Sequence, residues 1–303
     1  MKTRKVVIGA VLTLISVPVM LVLIDALTFR ISNRSNGSFV SSGQRREYLL
    51  YVPQSYDRTK PTPLVISLHG AGGWPSQQMK LSGWNRLADA HGFIVVYPSA
   101  FEGVGPRIWH VERGVGLMRD VKFIAALIDT VEAAYNIDKS MIYANGISNG
   151  GGMTFVLSCT MSDRISAFGM VAAAQTLPWS WCADRRPAPM MAFHGTADHL
   201  IRYSGGTSWI AQNSFPNVVT WTKNWARRNR CDERPVDSVV AAGVSRRAYS
   251  TCADDAAVVL YTIKGGGHTW PGGVPMPEWL VGTTSNGVDA TEQLWGFFRE
   301  HPR

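Results

Sequence analysis

A lone serine lies between glycines in the sequence GISNG, residues 146–150. The pattern Gly-x-Ser-x-Gly is common in glycine-rich chains, so its context must decide whether it has a function. The preceding segment SMIYANG is predicted to be a strand and the following segment NGGGMTFVLSC a helix. In such a strand–turn–helix context a serine becomes an exposed nucleophile at the end of a sheet. Ser148 is therefore the candidate nucleophile, at a helix N-terminus whose partial positive charge favours a developing anion.

A serine hydroxyl becomes an effective nucleophile when a base takes its proton and a third group orients that base. His268 follows the last predicted strand and lies near the C-terminus, where the chain order Ser, Asp, His places the base. Asp198 follows the predicted buried strand APMMAFHG and lies between the other two in sequence. We therefore predict a triad of Ser148, Asp198 and His268, with His199 as a weaker alternative for the base.

Other histidines and aspartates are expected to have structural roles. His69 and His194 close two predicted strands and are interpreted as packed or hydrogen-bonded side chains. Asp120 and Asp289 are interpreted as residues at the start of helices, where a carboxylate is favourable.

Attack of such a serine on a carbonyl group also needs donors for the oxyanion of the tetrahedral intermediate. The backbone N–H of Asn149, directly after the candidate nucleophile, is one predicted donor. The loop LHGAGG, which follows an early predicted strand, offers the second through the N–H of Ala71 or of Gly72. Because both donors are backbone groups, the side chains at these positions need only be small.

Predicted strands and helices alternate along the chain. REYLLYVP is predicted to be a half-exposed strand, and short apolar runs such as PLVISLHG, FIVVYPSA and AVVLYTIKGG to be buried ones. DVKFIAALIDTVEAAYNI and DATEQLWGFFREH have apolar residues at helical spacing. This alternation predicts an α/β single domain, with a mostly parallel sheet and helices on both faces. The candidate residues all follow strands, at the edge where such sheets bind ligands.

Four motifs, LHGAGG, GISNGGGM, HGTAD and GGGHTWPGG, occur in this order. Together they resemble the α/β-hydrolase esterases grouped as polyhydroxybutyrate depolymerases and feruloyl or acetylxylan esterases, over about residues 46–301. The resemblance implies the α/β-hydrolase fold, the triad given above and a serine esterase that needs no metal or organic cofactor. An acyltransferase using the same triad, and a non-catalytic binding domain, are the alternatives. The expected partner is a small or oligomeric ester.

Tryptophan is abundant, with 11 residues in the chain. Trp74, Trp270 and Trp279 lie on or near the predicted active-site loops, where their rings could stack on a substrate. The segment 270–287, which begins two residues after His268, is rich in apolar residues, prolines and glycines. We predict that this segment, with Trp270 and Trp279, forms part of the substrate pocket.

The N-terminus has the composition of an export signal. Lys2, Arg4 and Lys5 precede nineteen uncharged residues, 6–24, which approach the length needed to span a bilayer. Residues 1–29 are therefore predicted to be an uncleaved signal anchor or a cleaved signal peptide. Residues 30–45 are polar and are predicted to be a tether, and residues 46–303 the catalytic domain. Either form of the signal places this domain outside the cytoplasm, with a membrane as a partner if the anchor is kept.

The net charge of +8 is concentrated at the N-terminus. After residue 46 the chain has 23 basic and 21 acidic residues, and such a nearly neutral domain has no electrostatic footprint for nucleic acid. With 46% hydrophobic and 17% charged residues, it has the composition of a globular protein.

The four cysteines, an even number, fit an oxidising compartment. They are Cys159, Cys182, Cys231 and Cys252, and three pairings are possible. Pairing in sequence order, Cys159 with Cys182 and Cys231 with Cys252, would close two local loops, and we take it as the prediction. No Cys-x-x-Cys pair is present, which makes a zinc site unexpected.

Overall fold

The computed structural model of the protein describes residues 33–100, 107–182, 186–208 and 214–303. The predicted signal anchor or signal peptide lies outside these residues. Within them, none of the helices has the length and apolar character that crossing a bilayer requires. Residues 35–303 form one compact unit.

The strands, in chain order, are β1 (Gly37–Ser41), β2 (Gln44–Tyr51), β3 (Thr62–Leu68), β4 (Ile94–Pro98), β5 (Ile137–Ile147), β6 (Ala167–Val171), β7 (Met190–Gly195), β8 (Gly206–Thr207), β9 (Ser214–Phe215), β10 (Val236–Ala241), β11 (Val244–Tyr249) and β12 (Val258–Ile263). The α-helices are α1 (Pro75–Ser82), α2 (Trp84–His91), α3 (Val115–Ala134), α4 (Asn149–Thr160), α5 (Val218–Arg228), α6 (Glu278–Val281) and α7 (Ala290–Glu300). Short 3₁₀ turns cover Trp179–Trp181 and Ala253–Asp255.

Ten of these strands form one sheet in the order β1-β2-β4-β3-β5-β6-β7-β12-β11-β10. The six central strands, from β4 to β12, are parallel. Two antiparallel strands extend the sheet at each edge. The predicted mostly parallel sheet is confirmed, and its topology brings the carboxyl ends of β3, β5, β7 and β12 to the same side.

Helices cover both faces of the sheet, as predicted. Helices α3, α4 and α5 pack in one apolar cluster with alternate residues of β3, Leu64, Ile66 and Leu68. Helices α1, α2 and α7 pack in a second cluster with Val65 of the same strand. Because both faces are buried, the central strands are continuous apolar runs rather than alternating ones.

The predicted polar tether, residues 30–45, is wrong in its C-terminal half. Strand β1 pairs with β2 across a two-residue turn, Ser42-Gly43, in which both residues have positive φ, 52° and 77°. This is the backbone that short hairpins prefer. Phe39 of β1 packs on Phe123 of α3 with 5.6 Å between ring centroids. A single aromatic residue in a polar stretch therefore attaches the segment to the core, and the domain begins before residue 46.

Both predicted disulfides are confirmed. Cys159 of α4 bonds to Cys182, and Cys231 bonds to Cys252. The first connects the helix that follows Ser148 to the segment after β6, and the second joins the loop after α5 to the loop after β11. Each closes a local loop, which stabilises the fold by restricting the unfolded chain.

A buried ion pair connects the edge of the sheet to α3. Arg46 of β2 donates from Nη1 to Asp120 Oδ1 at 2.8 Å, with the two side chains 2% and 1% exposed. Arg46 also donates to the carbonyl of Ser99 at 3.2 Å, and its guanidinium lies 3.9 Å from the Phe123 ring centroid. The interpretation of Asp120 as a helix-start residue is wrong, because it lies inside α3. Asp289 does cap α7, accepting from the backbone N–H groups of Thr291 and Glu292.

We expect Arg46→Met to destabilise the protein strongly, because it leaves the Asp120 carboxylate buried without its charge partner, a loss that costs about 3–5 kcal/mol. The matched control is Arg45→Met. Arg45 is 73% exposed and lies 3.7 Å from Glu47, and such surface pairs contribute about 0–1 kcal/mol. The free energy of unfolding in urea measures both variants. If both variants lose a similarly small free energy of unfolding, the buried ion pair does not hold β2 to α3.

Candidate active site

The turn between β5 and α4 presents Ser148. Its backbone has φ 55° and ψ −122°, a sparsely populated conformation for a residue other than glycine. A Cβ on Gly146 would lie 2.5 Å from the backbone of Gly150, and one on Gly150 would overlap the carbonyl oxygen of Leu68. The two flanking glycines are therefore required by close backbone packing between β5, α4 and the end of β3, as the elbow interpretation predicts.

Asp198 and His268 are in direct contact. His268 Nδ1 lies 2.8 Å from Asp198 Oδ2, and the two side chains are 6% and 0% exposed. An ionised carboxylate only accepts, so Nδ1 carries the proton and Nε2 remains as the acceptor that a general base needs. Asp198 follows β7 and His268 follows β12, which are neighbouring parallel strands. The pairing of these strands brings together residues that lie 70 positions apart.

The Asp198 carboxylate is held ionised. Burial acts to raise its pKa, but hydrogen bonds from His194 and His268 outweigh burial, and the pKa lies well below its usual value. The second oxygen, Oδ1, accepts from the backbone N–H groups of Leu200 at 2.9 Å and Ile201 at 2.8 Å. A carboxylate with this many donors stabilises a positive charge on the imidazole it contacts.

His194 also contacts the candidate acid. Its Nε2 lies 2.7 Å from the carbonyl of Ile201 and 3.4 Å from Asp198 Oδ2. Because a carbonyl oxygen can only accept, Nε2 of His194 must carry a proton. His194 therefore donates to both the Ile201 carbonyl and Asp198 Oδ2. From the sequence, His194 was predicted to have a structural role, and its contact with Asp198 was not predicted. The sequence HGTAD, in which His194 precedes Asp198 by four residues, is the only signal of this contact that the sequence contains.

His69 and His199 are not bases in this arrangement. His69 Nδ1 donates to the carbonyl of Gly70 at 2.7 Å and its Nε2 accepts from the N–H of Ala100 at 3.0 Å. Burial lowers the pKa of His69 to about 4, so this imidazole is a neutral link between loops. The structural role predicted for it is confirmed. His199 is exposed, and it is His268 that bonds to Asp198.

One large cavity, of about 800 Å³, brings the candidate residues together. Ser148, His268, Asn149 and Ala71 all line it, and Asp198 contacts it only through its hydrogen bond to His268. Its remaining wall is mostly apolar, which is the usual character of a ligand pocket. The cavity lies at the carboxyl ends of the parallel strands, where the topology places binding sites.

The structure narrows the choice of oxyanion donors. The N–H of Gly72 donates to the carbonyl of Arg107 at 2.8 Å and is therefore engaged, which leaves Ala71 as the candidate in that loop. Asn149 is the first residue of α4, where the backbone N–H has no partner within the helix. Ala71 and Asn149 thus stay the predicted pair.

Residues 107–109, for which the sequence predicted no role, contact the loop of residues 69–73 that carries Ala71, which we call the oxyanion loop. Buried Arg107 donates from Nε to the carbonyl of Gly73 at 3.0 Å and from Nη2 to that of Gly72 at 3.1 Å. The Asn149 side chain bonds to both backbone groups of Trp109, with its Oδ1 accepting at 2.7 Å and its Nδ2 donating at 3.0 Å. Residues 107–109 therefore join the oxyanion loop to the residue after Ser148. Nothing in their sequence indicates this contact.

The three tryptophans predicted to lie on or near the active-site loops occupy different environments. Trp270 is fully buried and donates from Nε1 to Thr291 Oγ1 at 2.9 Å, so its assignment as a pocket wall is wrong. Trp74 is half-buried, and Arg107 lies 5.3 Å from its ring centroid. Trp279 is 84% exposed on α6, and its role in substrate binding stays a prediction. The segment does contribute to the cavity through Met276, Leu280 and Val281.

Within the described parts of the chain, no three or more His, Cys, Asp or Glu side chains are grouped as metal ligands. The cavity brings together a serine hydroxyl, an imidazole bonded to a carboxylate, and backbone N–H groups.

Comparisons with known proteins show similarity to a family of esterases. Residues 46–176 match the family described as esterase PHB depolymerase. The chain is 30% identical over 229 residues to feruloyl esterase B of Piromyces equi, covering 74% of this chain and 42% of that protein. It is 28% identical over 261 residues to feruloyl esterase C of Emericella nidulans, covering 84% of this chain and 83% of that protein. The predicted resemblance is confirmed.

The fold agrees with that resemblance. An acetyl xylan esterase from Aspergillus awamori superposes with a TM-score of 0.59 at 18% identity, covering 89% of this chain and 96% of that one. At this identity the likeness establishes the fold alone, which is the predicted α/β-hydrolase fold. The chain spans less than half the length of the Piromyces relative.

Substituting Trp270 and Trp279 separately tests the revised assignment. Trp270→Ala removes a buried aromatic side chain, and we expect a loss of about 3–5 kcal/mol in the free energy of unfolding. Trp279→Ala changes an exposed side chain, so its stability should stay within about 0.5 kcal/mol of the parent, while KM rises more for long acyl esters than for acetate. Urea unfolding and Michaelis kinetics measure the two effects. A specificity change without destabilisation in the Trp270 variant would contradict the core assignment.

Proposed function

We propose that this protein is a serine carboxylic ester hydrolase that works through an acyl-enzyme on Ser148. The observation that carries the proposal is that one cavity is lined both by Ser148, on a strained strand-to-helix turn, and by His268, whose Nδ1 makes a buried hydrogen bond of 2.8 Å to Asp198. The likeness to proteins named as feruloyl and acetyl xylan esterases supports the same chemistry.

In the first half-reaction His268 Nε2 takes the proton of the Ser148 hydroxyl while Oγ attacks the ester carbonyl carbon. The carbonyl oxygen becomes an oxyanion and accepts from the N–H groups of Asn149 and Ala71. As the C–O bond to the alcohol breaks, the alkoxide takes the proton from His268 and leaves as an alcohol. The acyl group remains on Ser148.

In the second half-reaction water replaces the alcohol. The water oxygen attacks the acyl carbon while His268 Nε2 takes one of the water protons. His268 then gives that proton to Ser148 Oγ as the bond between Oγ and the acyl carbon breaks and the carboxylic acid leaves. Asp198 stays ionised throughout and stabilises the imidazolium that forms twice per cycle. Its lowered pKa suits this role, because an ionised partner is needed at every step.

The cavity supports a substrate with an apolar body. Its wall includes Ile108, Leu117, Met276 and Leu280, and its volume of about 800 Å³ accommodates an aryl or short-chain acyl group with part of its alcohol. We therefore propose feruloyl, acetyl or hydroxyalkanoate-type esters of small or oligomeric alcohols as the substrate class.

The test replaces each triad member and a neighbouring histidine in the full-length protein. Ser148→Ala and His268→Ala should lower kcat for p-nitrophenyl acetate and methyl ferulate by about 10⁴-fold or more, and Asp198→Asn by a similar order. His199→Ala, next to the acid but exposed, is the matched control and should keep near-parental kcat. A fluorophosphonate probe should label Ser148 in the parent protein, which mass spectrometry of its peptides detects. Near-parental activity of Ser148→Ala would refute the proposal.

We also propose that the catalytic domain is exported. The basic residues followed by nineteen uncharged residues, and the two disulfides, support a signal that delivers the domain to an oxidising compartment. Fractionation of cells that make the full-length chain should find the domain accessible to external protease, with all four cysteines blocked to alkylation until reduced. Free thiols in a protease-protected protein would contradict export.

A further inference from the structure

A second histidine–aspartate pair faces the cavity that holds Ser148. His110 lines this cavity, and its side chain is 47% exposed. Its Nδ1 lies 2.9 Å from Asp120 Oδ2, and its backbone N–H donates to the same oxygen at 2.8 Å. The proposed mechanism uses neither residue.

The carboxylate behind His110 is held in place by a second partner. Asp120 Oδ1 bonds to Arg46 at 2.8 Å in the buried ion pair described above. A carboxylate in such a pair accepts hydrogen bonds and does not donate them, so Nδ1 of His110 must carry a proton. In the neutral imidazole this leaves Nε2, at the opposite edge of the ring, as an acceptor.

A glycine makes room for the ring. A Cβ on Gly116, at the start of α3, would overlap the His110 ring atoms. The ring therefore lies flat against backbone on one side and is held through Nδ1 at its edge. Two independent features, the carboxylate and the glycine, thus fix the orientation of a side chain that is half exposed.

The position of His110 relative to the nucleophile is also fixed. Its neighbour Trp109 is bonded through both backbone groups to the side chain of Asn149, the residue after Ser148. The nearby lining combines the apolar side chains of Ile108, Val111 and Leu117 with the charged residues Glu112 and Arg113. An imidazole of fixed orientation offers its free nitrogen in one direction, and it therefore favours a ligand that has a donor at that point.

We propose that His110 Nε2 accepts a hydrogen bond from a hydroxyl group of the ester substrate and so sets substrate selectivity. The proposal rests on the proposed esterase function. The hydroxyl belongs either to the acyl group or to the alcohol, and the two ester pairs described next distinguish these sources.

The experiment measures kcat and KM of the full-length protein on two matched pairs of esters. Methyl 4-hydroxycinnamate and methyl 4-methoxycinnamate differ in a hydroxyl on the acyl side. 2-Hydroxyethyl benzoate and 2-methoxyethyl benzoate differ in a hydroxyl on the alcohol side. In each pair the methoxy ester keeps the substituent oxygen but carries a methyl group in place of the hydroxyl hydrogen, so it cannot donate a hydrogen bond there.

His110→Phe keeps a ring over Gly116 but removes the acceptor. In one of the two pairs we expect the ratio of kcat/KM, hydroxy ester over methoxy ester, to fall about threefold to tenfold, mainly through KM, as for the loss of one hydrogen bond. His110→Gln places an amide oxygen near the position of Nε2 and should restore most of the ratio. Val115→Ala, at the exposed start of α3, is the control that keeps the parental ratio.

Parental ratios in the Phe variant for both pairs would overturn the proposal and leave His110 as a loop anchor. Titration of the same esters into Ser148→Ala protein, by calorimetry, measures binding without turnover. Hydroxyl-selective binding that depends on His110 would support the proposed hydrogen bond to His110 even if no ester is hydrolysed. Hydrolysis of p-nitrophenyl acetate without hydroxyl selectivity in either pair would support the esterase function and overturn the role of His110.

Discussion

The close approach of three backbone segments at Ser148 is the constraint on which the site depends. Strand β5 turns into α4 with no space for a side chain at Gly146 or Gly150, and Gly150 lies against the end of β3. The loop that follows β3 carries Ala71. The packing that makes the serine turn sharp therefore also brings the loop with Ala71, the candidate second oxyanion donor, to the same cavity.

Hydrogen-bond donors at the ends of neighbouring strands stabilise the Asp198 carboxylate. Asp198 accepts from two imidazoles and two backbone N–H groups, although it is fully buried. Burial alone would favour the neutral acid, and only this number of donors keeps the carboxylate charged. His194 contributes without lining the cavity. Its place at the end of β7 is thus explained by the acid it helps to hold ionised, as well as by packing.

Much of the fold and the site could be predicted from the sequence, because the chemistry lies where strands end. Buried parallel strands are recognisable as apolar runs, and Ser148, Asp198 and His268 each follow one. Contacts between residues that are far apart in sequence could not be predicted from these apolar runs. Arg107 supports the oxyanion loop from a segment more than 30 residues away, and Asp120 pairs with an arginine of β2. Trp270 follows the proposed base closely, yet its side chain points into the core, since sequence distance does not give side-chain direction. The first strand was missed because a single phenylalanine, Phe39, attaches a polar stretch to the sheet.

The buried Arg46–Asp120 pair needs an explanation beyond stability. Replacing such a pair with apolar residues of similar volume is often neutral or stabilising, because removing two charges from water is costly. An apolar pair would hold β2 to α3 equally well but would leave the N–H and Nδ1 of His110 without an acceptor. The second oxygen of the carboxylate is the acceptor for both groups of His110, and the arginine is the charge partner that a buried carboxylate needs. Under the proposal for His110, the ion pair therefore supports a residue of the cavity, and β2, which carries Arg46, contributes to the site through it.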